Sequence, residues 1–258
     1  MSTVRIDLNK HGIACVTLNR PEVHNALDEA MIRELTDCFD MLGRHAGVRA
    51  ITLRGEGKSF CGGGDLNWMK RAAGQSEAEN HADAARLSKM FTTVNACSKP
   101  VIGVVHGVAL GGGTGLAACC DIVIAHTNAA FGLTEVRLGL IAATISPFVI
   151  AKIGASQARR YMLTAERINT SQARAIGLVH EVSDTPDEAA KPILEAILGN
   201  GPEAMADSKA LIAEVAGRDP TPDLLDMTAG RIAARRASAE GREGIAAFLE
   251  KRKPGWAE

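Results

Sequence analysis

The chain has 258 residues, 46% of them hydrophobic, enough to bury a full core in one domain or in a domain with an appendage. Lysine and arginine total 29 against 30 acidic residues, for a net charge of -1, so no bulk field recruits nucleic acid or a membrane surface and any anionic partner must be held locally. With 3% aromatics and 26 glycines, the core should be aliphatic and offer no platforms for stacking bases.

The opening stretch MSTVRIDLNKHG lacks a cationic segment followed by an apolar one, and no uninterrupted apolar run reaches membrane-spanning length, so a cytoplasmic protein is expected. VRIDLNKHGIACVTLNRP carries apolar residues on either side of Lys10, His11 and Gly12 and reads as a β-hairpin. Asn25 is then expected to cap a helix in which Leu27, Leu35 and Leu42 recur at helical spacing, with Asp28 and Glu29 in its first turn. VRAITLRGEG predicts a buried strand, KSFCGGGDLNWMKR a glycine loop opening a short helix, and residues 77–97 a helix. KPVIGVVHGVAL predicts the next strand, CDIVIAH another, and GLVHEV a last one.

Strand alternates with helix or turn through residue 182, the pattern of an α/β core. After Asp184 the strands stop, and four helical stretches separated by Gly, Pro and Asp run to the end. The expected division is a core of residues 1–190 and a helical region of residues 191–258.

The segment VALGGGTGLAACC concentrates Gly111, Gly112, Gly113 and Gly115 in an otherwise apolar run. Each glycine in an ordered element costs roughly 0.5–1 kcal/mol relative to alanine, so the cluster calls for unusual dihedrals or for close approach to the backbone. Gly113, Gly115 and Ala118 fit a dinucleotide fingerprint, but only TGLAACC separates Gly113 from the strand starting near Asp121, too few residues for a crossover helix and its loops. Close helix packing explains Gly115 readily. It explains less well why two loops, FCGGGDL and LGGGTGL, each follow an apolar strand and each open a short helix. Two converging helix N-termini offer unpaired N–H groups to one developing oxyanion, and that reading is favoured.

With both loops in view, the sequence resembles the crotonase, or enoyl-CoA hydratase/isomerase, family over essentially its whole length. LNRPEVHNAL resembles the family's CoA-binding opening segment, GKSFCGGGDL its first oxyanion loop and VHGVALGGGTGLAACCDIVIA its second. FGLTEVRLGL resembles the segment bearing the catalytic glutamate, and LTAERINTSQARAIGLVHEV and GREGIAAFLEKRKP its later landmarks. The resemblance implies the ClpP/crotonase fold of repeated ββα units, with the C-terminal helices as a trimerisation region and a homotrimer or homohexamer as the assembly. It implies no cofactor, acyl-CoA being the substrate. The N–H groups of Gly64 and Gly112 would hold the thioester oxygen, and Glu135 would be the catalytic carboxylate. Substrate contacts would come from Glu22, Val23, Asn25, Cys61, Gly62, Gly63, Asp65, Leu66, Gly111 and Gly115, with Lys251 and Arg252 of the tail on the CoA phosphates.

Two departures from the family pattern stand out. Gly64 replaces the usual alanine before the aspartate, which leaves an N–H donor intact. Gly115 stands where two-glutamate hydratases of the family carry their first glutamate, twenty residues before Glu135. Family isomerases often keep only the second. The segments SFCGGGDLNWMKR, TEVRLGLIAATISPF and ARRYMLTAERI look most like the bacterial methylglutaconyl-CoA hydratase branch, with the isohexenylglutaconyl-CoA branch a close competitor.

The residues also admit plainer roles. Without the resemblance, Glu135 reads as an exposed or Arg137-paired acid; the apolar segment around it would raise its pKa. Asp65 reads first as a helix cap and Asp121 as structural. Cys61 has no adjacent base and G-x-S-x-G is absent, so packing is preferred to a nucleophilic role. The six cysteines show no C-x-x-C spacing, so free buried thiols are expected and a metal site has no support. A glutaconyl carboxylate needs a cation, for which Lys70, Arg71 and Arg137 are candidates.

Overall fold

The computed structural model describes residues 2–257. In chain order, a hairpin of β1 (Val4–Leu8) and β2 (Ile13–Leu18) leads through α1 (Glu29–Arg44) to β3 (Ala50–Gly55), then α2 (Leu66–Ala72) and α3 (Glu77–Asn95). Next come β4 (Val101–Val105), β5 (Val108–Leu110), α4 (Gly112–Cys119), β6 (Ile122–His126) and β7 (Ala130–Gly132). After them lie α5 (Ser146–Thr164), β8 (Ile168–Asn169), α6 (Thr170–Ala175), β9 (Glu181–Ser183) and α7 (Pro186–Leu198). The chain finishes in α8 (Pro202–Val215), α9 (Pro222–Ala237) and α10 (Ala239–Leu249).

Six strands form one sheet in the order β1-β2-β3-β4-β6-β9, in which only the β1–β2 pair is antiparallel. Strand alternation sends successive side chains to opposite faces. Ile51 and Leu53 of β3, Val101 and Val105 of β4, and Val123 and Ala125 of β6 join the main core with Leu35 and Phe39 of α1 and Phe91 of α3. Ile102, Val104 and Ile124 face the other way and meet Ala190 and Ile197 of α7. The central strands β3, β4 and β6 are therefore apolar on both sides, which is why the sequence shows runs there rather than alternation.

A second, three-stranded sheet, β5-β7-β8, carries the candidate site. The single strand expected over KPVIGVVHGVAL is two strands in two different sheets, broken at His106 and Gly107. Gly107 has φ +58°, and a Cβ there would lie 2.0 Å from the Lys58 carbonyl oxygen, so the chain turns where only glycine fits. The pairs β5–β7 and β7–β8 are only three and two residues long, below the length at which a pattern shows in the sequence.

The cap of α1 is Asp28, not Asn25: the Asp28 carboxylate accepts from the Met31 N–H, while Asn25 takes φ +55° and turns its side chain inward. α7 starts at Pro186 and packs on the main sheet, so the division at 190/191 falls inside a helix belonging to the core's outer layer. No helix of the described residues is long and apolar enough to cross a membrane.

Candidate active site

Two loops are stitched together strand-fashion at the site. Leu27 N–H donates to the Gly63 carbonyl at 2.7 Å and Asp65 N–H to the Leu27 carbonyl at 2.9 Å, so the Gly64 N–H between them points away from Leu27. Cys61 N–H donates to the Val108 carbonyl at 3.1 Å, and Leu110 N–H to the Cys61 carbonyl at 3.0 Å, which lays the first loop along β5. At their meeting point a Cβ on Gly63 would be 2.9 Å from the Leu110 carbonyl oxygen and 4.0 Å from the Gly112 nitrogen. Among the described residues, neither Gly64 N–H nor Gly112 N–H finds an acceptor, and Gly112 opens α4 at its positive dipole end.

Glu135 starts a 3-10 turn, Glu135–Leu138, directly after β7. Gly111 N–H donates to the Gly132 carbonyl at 2.8 Å, and the Thr114 hydroxyl donates to the Ala109 carbonyl at 2.7 Å while accepting from the Gly132 N–H at 3.2 Å, so β7 is locked against the start of α4. That lock brings the Glu135 carboxylate to the second loop: its Oε1 would be 3.1 Å from a Cβ on Gly111, where glycine leaves the space open. Oε2 is buried and has no hydrogen-bond partner. Burial raises the Glu135 pKa above the ordinary carboxylate value. Arg137 is engaged elsewhere, its Nη2 donating to the Ala165 carbonyl at 2.6 Å.

Several expected contacts are structural. The Asn25 side chain is fully buried, its Nδ2 donating to the carbonyls of Glu56, Ser59 and Phe60 and its Oδ1 accepting from Arg20 N–H, so nothing is left for a substrate. Asp65 caps α2 through the Asn67 and Trp68 N–H groups and pairs with Arg20 at 3.0 Å. Burial alone would raise Asp65, but the Trp68 N–H, the Arg20 guanidinium and the Asn67 N–H together hold it below the usual carboxylate range. Cys61 lies in the core with its thiol pushed up to about 12 by burial. Gly115 is also buried, against Ile145 and Phe91, and contacts no open space.

Other expected residues remain accessible or lie elsewhere. Glu22 and Val23 are exposed on the 3-10 turn Pro21–Val23, and Leu66 is 74% exposed beside Gly64. Gly62 donates its N–H to the His24 carbonyl at 2.8 Å, tying the first loop to the turn after β2. Arg71 pairs with Glu29 at 3.4 Å, and Lys70 is exposed on α2. The tail is not at the site within this protomer: Arg49, just before β3, donates to the Trp256 carbonyl, whereas the Gly64 loop leaves from the other end of that strand. Arg252 is engaged by Glu243 and Glu250, and Lys251 takes φ +55° in the turn after α10.

Sequence reasoning missed Thr114, Arg20, Trp68 and Ile145, whose roles depend on partners far along the chain. Only Arg20 left a trace, in the RPEVHN stretch where a cation precedes a turn rich in polar residues.

The two sheets, the flanking helices and a carboxylate with one buried oxygen beside the second glycine loop define a crotonase-type fold. A crystal structure of an enoyl-CoA hydratase from Shewanella pealeana superposes with a TM-score of 0.96 at 41% identity, covering 98% of this chain and 96% of that one. The chain belongs to the enoyl-CoA hydratase/isomerase family, whose model matches residues 9–258. It is 35% identical over 246 residues to a crotonyl-CoA hydratase of Syntrophomonas wolfei, covering 93% of each chain. It is 32% identical over 258 residues to a short-chain-enoyl-CoA hydratase of Clostridium acetobutylicum, covering 98% of this chain and 97% of that one.

Proposed function

We propose that this protein is a hydratase of 2-enoyl-CoA thioesters, in which the N–H groups of Gly64 and Gly112 hold the thioester oxygen and Glu135 moves the protons. The observation that carries the reading is the unpartnered, buried Oε2 of Glu135, whose carboxylate lies against Gly111, the residue before a Gly112 N–H that lacks an acceptor. Conjugation makes the β-carbon electrophilic, and water adding there pushes charge onto the thioester oxygen. Donors preorganised at that oxygen are worth roughly 3–4 kcal/mol each in comparable sites. Glu135 takes the proton from water and returns one at the α-carbon, so a single carboxylate serves both steps.

The first substrate to test is 3-methylglutaconyl-CoA, an intermediate of leucine breakdown, followed by isohexenylglutaconyl-CoA; the likeness of the segments around Glu135 supports that branch. Lys70 on α2 is the candidate for the substrate's extra carboxylate, since Arg71 and Arg137 already have partners. A homotrimer or homohexamer fits the large apolar side chains exposed on α9 and α10, Leu225, Ile232, Ile245, Phe248 and Leu249, and would bring Lys251 of a neighbouring copy toward the CoA phosphates.

A double-bond isomerase is the second reading, favoured by the absence of a second carboxylate at residue 115. Turnover of 3-methylglutaconyl-CoA and crotonyl-CoA in heavy-oxygen water separates the two. Label in a 3-hydroxyacyl product supports the hydratase; an unlabelled product with a moved double bond supports the isomerase. Tight acyl-CoA binding without turnover would leave a binding protein.

A further inference from the structure

Residues 134–144, which carry Glu135, lie between β7 and α5 with little to hold them. Leu133 and Ile145 on either side are buried in the main core, but Val136, Leu138, Leu140 and Ile141 between them are 38% to 76% exposed. Arg137 N–H donates to the Thr134 carbonyl, Gly139 N–H to that of Val136 and Leu140 N–H to that of Glu135, so residues 134–140 close into one compact turn. The Ala143 carbonyl accepts from the adjoining Ser146. Among the described residues, one hydrogen bond links this segment to a distant element: Nη2 of Arg137 donates to the Ala165 carbonyl at 2.6 Å.

Ala165 caps the C-terminal end of α5 and is 1% exposed. Unpaired carbonyls and the negative pole of the helix dipole gather at such an end, so a guanidinium makes a charge-assisted bond there. In a 3-10 turn, residues two apart point about 120° away from each other, so Arg137 can hold α5 while Glu135 faces Gly111. The Glu135 carboxylate has no such tie of its own. Oε2 has no partner, and the one group that favours its charge is the N–H of Glu135 itself. Its direction is therefore inherited from the turn that carries it.

We propose that Arg137 is a positioning residue: by bonding the end of α5, it holds the turn that aims Glu135 at the second glycine loop. The proposal rests on the reading of Glu135 as the carboxylate that moves the protons. It replaces the two roles that an arginine here invites, ion pair to Glu135 and cation for a substrate carboxylate. Losing the bond frees the turn to swing outward, since the exposed side chains around Arg137 offer little packing to resist. A misplaced carboxylate costs turnover far more than binding, because thioester binding draws on other contacts.

The test is Arg137→Met in the full-length protein, which keeps an unbranched stem and removes the donor. Kinetics are measured with crotonyl-CoA and with 3-methylglutaconyl-CoA, and the Glu135 carboxyl is titrated by isotope-edited NMR, its signal assigned by its absence in Glu135→Gln. The expected result is a kcat lower by roughly 10- to 100-fold for both thioesters with KM little changed. The Glu135 pKa should fall toward the ordinary glutamate value as the carboxylate leaves its buried position. Should Arg137→Met fail to fold, Arg137→Lys, which weakens the bond rather than deleting it, is expected to give the same pattern with smaller changes. An unchanged titration overturns the proposal. So does a loss confined to 3-methylglutaconyl-CoA, which would make Arg137 a substrate contact, or a Glu135 pKa that rises, which would make it a charge partner. Wild type that hydrates neither thioester counts against the hydratase reading alone, and the titration then decides the anchor.

Discussion

Cγ2 of Ile145 stands 2.3 Å from where a Cβ on residue 115 would be, and Cβ of Ile145 stands 2.9 Å from it. Ile145 is 2% exposed and lies in the main core, so it has no room to withdraw. The glycine that the sequence shows in place of a family glutamate is therefore matched by a branched side chain filling the space. Gly115→Ala is expected to cost about 1–3 kcal/mol by overpacking, measured by denaturant unfolding. Ile145→Ala alone should cost about 2–5 kcal/mol by leaving a cavity. The double variant should cost clearly less than the sum, since each change relieves the other. Strict additivity would mean that another group, such as Phe91, sets the constraint.

Glu135 carries opposite demands for rate and for stability. Burial raises its pKa in the folded chain above the value it has when unfolded. Between those two values the native state binds more protons, so stability falls as pH rises through that window and stays reduced above it. Glu135→Gln should therefore raise the melting temperature at neutral pH, with the gain shrinking as pH falls through that window and gone below the unfolded glutamate value. Turnover should fall by about 10²- to 10⁴-fold, the range of general acid–base contributions. In the wild type, the acid limb of kcat/KM should have its midpoint above the ordinary glutamate pKa. A melting temperature that drops in Glu135→Gln would mean the carboxylate has a stabilising partner after all.

What the sequence displayed and what it hid divide along physical lines. The long apolar strands β3, β4 and β6, the Asp65 cap and both glycine loops are local signals, and each stands where the pattern placed it. The break at Gly107 is set by the Lys58 carbonyl, about fifty residues upstream, which no window of local periodicity contains. Asn25 has the composition of a cap and the dihedral of a turn, and its three carbonyl partners lie more than thirty residues away. The candidate carboxylate was reached through resemblance, because an acid beside an arginine in sequence does not reveal that the arginine is engaged by Ala165 instead.

Asn25 gives a direct test of a clamp against a substrate contact. Its amide ties the turn after β2 to the loop that carries Gly64, and its removal leaves the Arg20 N–H and the Glu56, Ser59 and Phe60 carbonyls without that partner. Asn25→Ala is expected to cost roughly 2–4 kcal/mol, including the strain of alanine at positive φ. Asn25→Asp should be no better, because a carboxylate cannot donate to three carbonyls. The measurement is a melting curve beside a KM. A KM that rises while the melting temperature holds would restore the substrate-contact role.

The thiols decide whether Cys61 has any chemistry. Burial pushes Cys38, Cys61 and Cys120 up to about 12, and raises Cys97 and Cys119 as well. Cys15 alone among the six is not buried. A thiolate is the reactive form, so native protein at mildly alkaline pH should give one fast equivalent in a disulfide-exchange titration, mapped to Cys15, and the remaining five only on unfolding. Cys61→Ala should keep kcat within about three-fold, with a modest loss of stability from the small cavity. A nucleophilic Cys61 requires the opposite: rapid modification of a second thiol in the native state, and turnover abolished by the alanine variant while the fold survives.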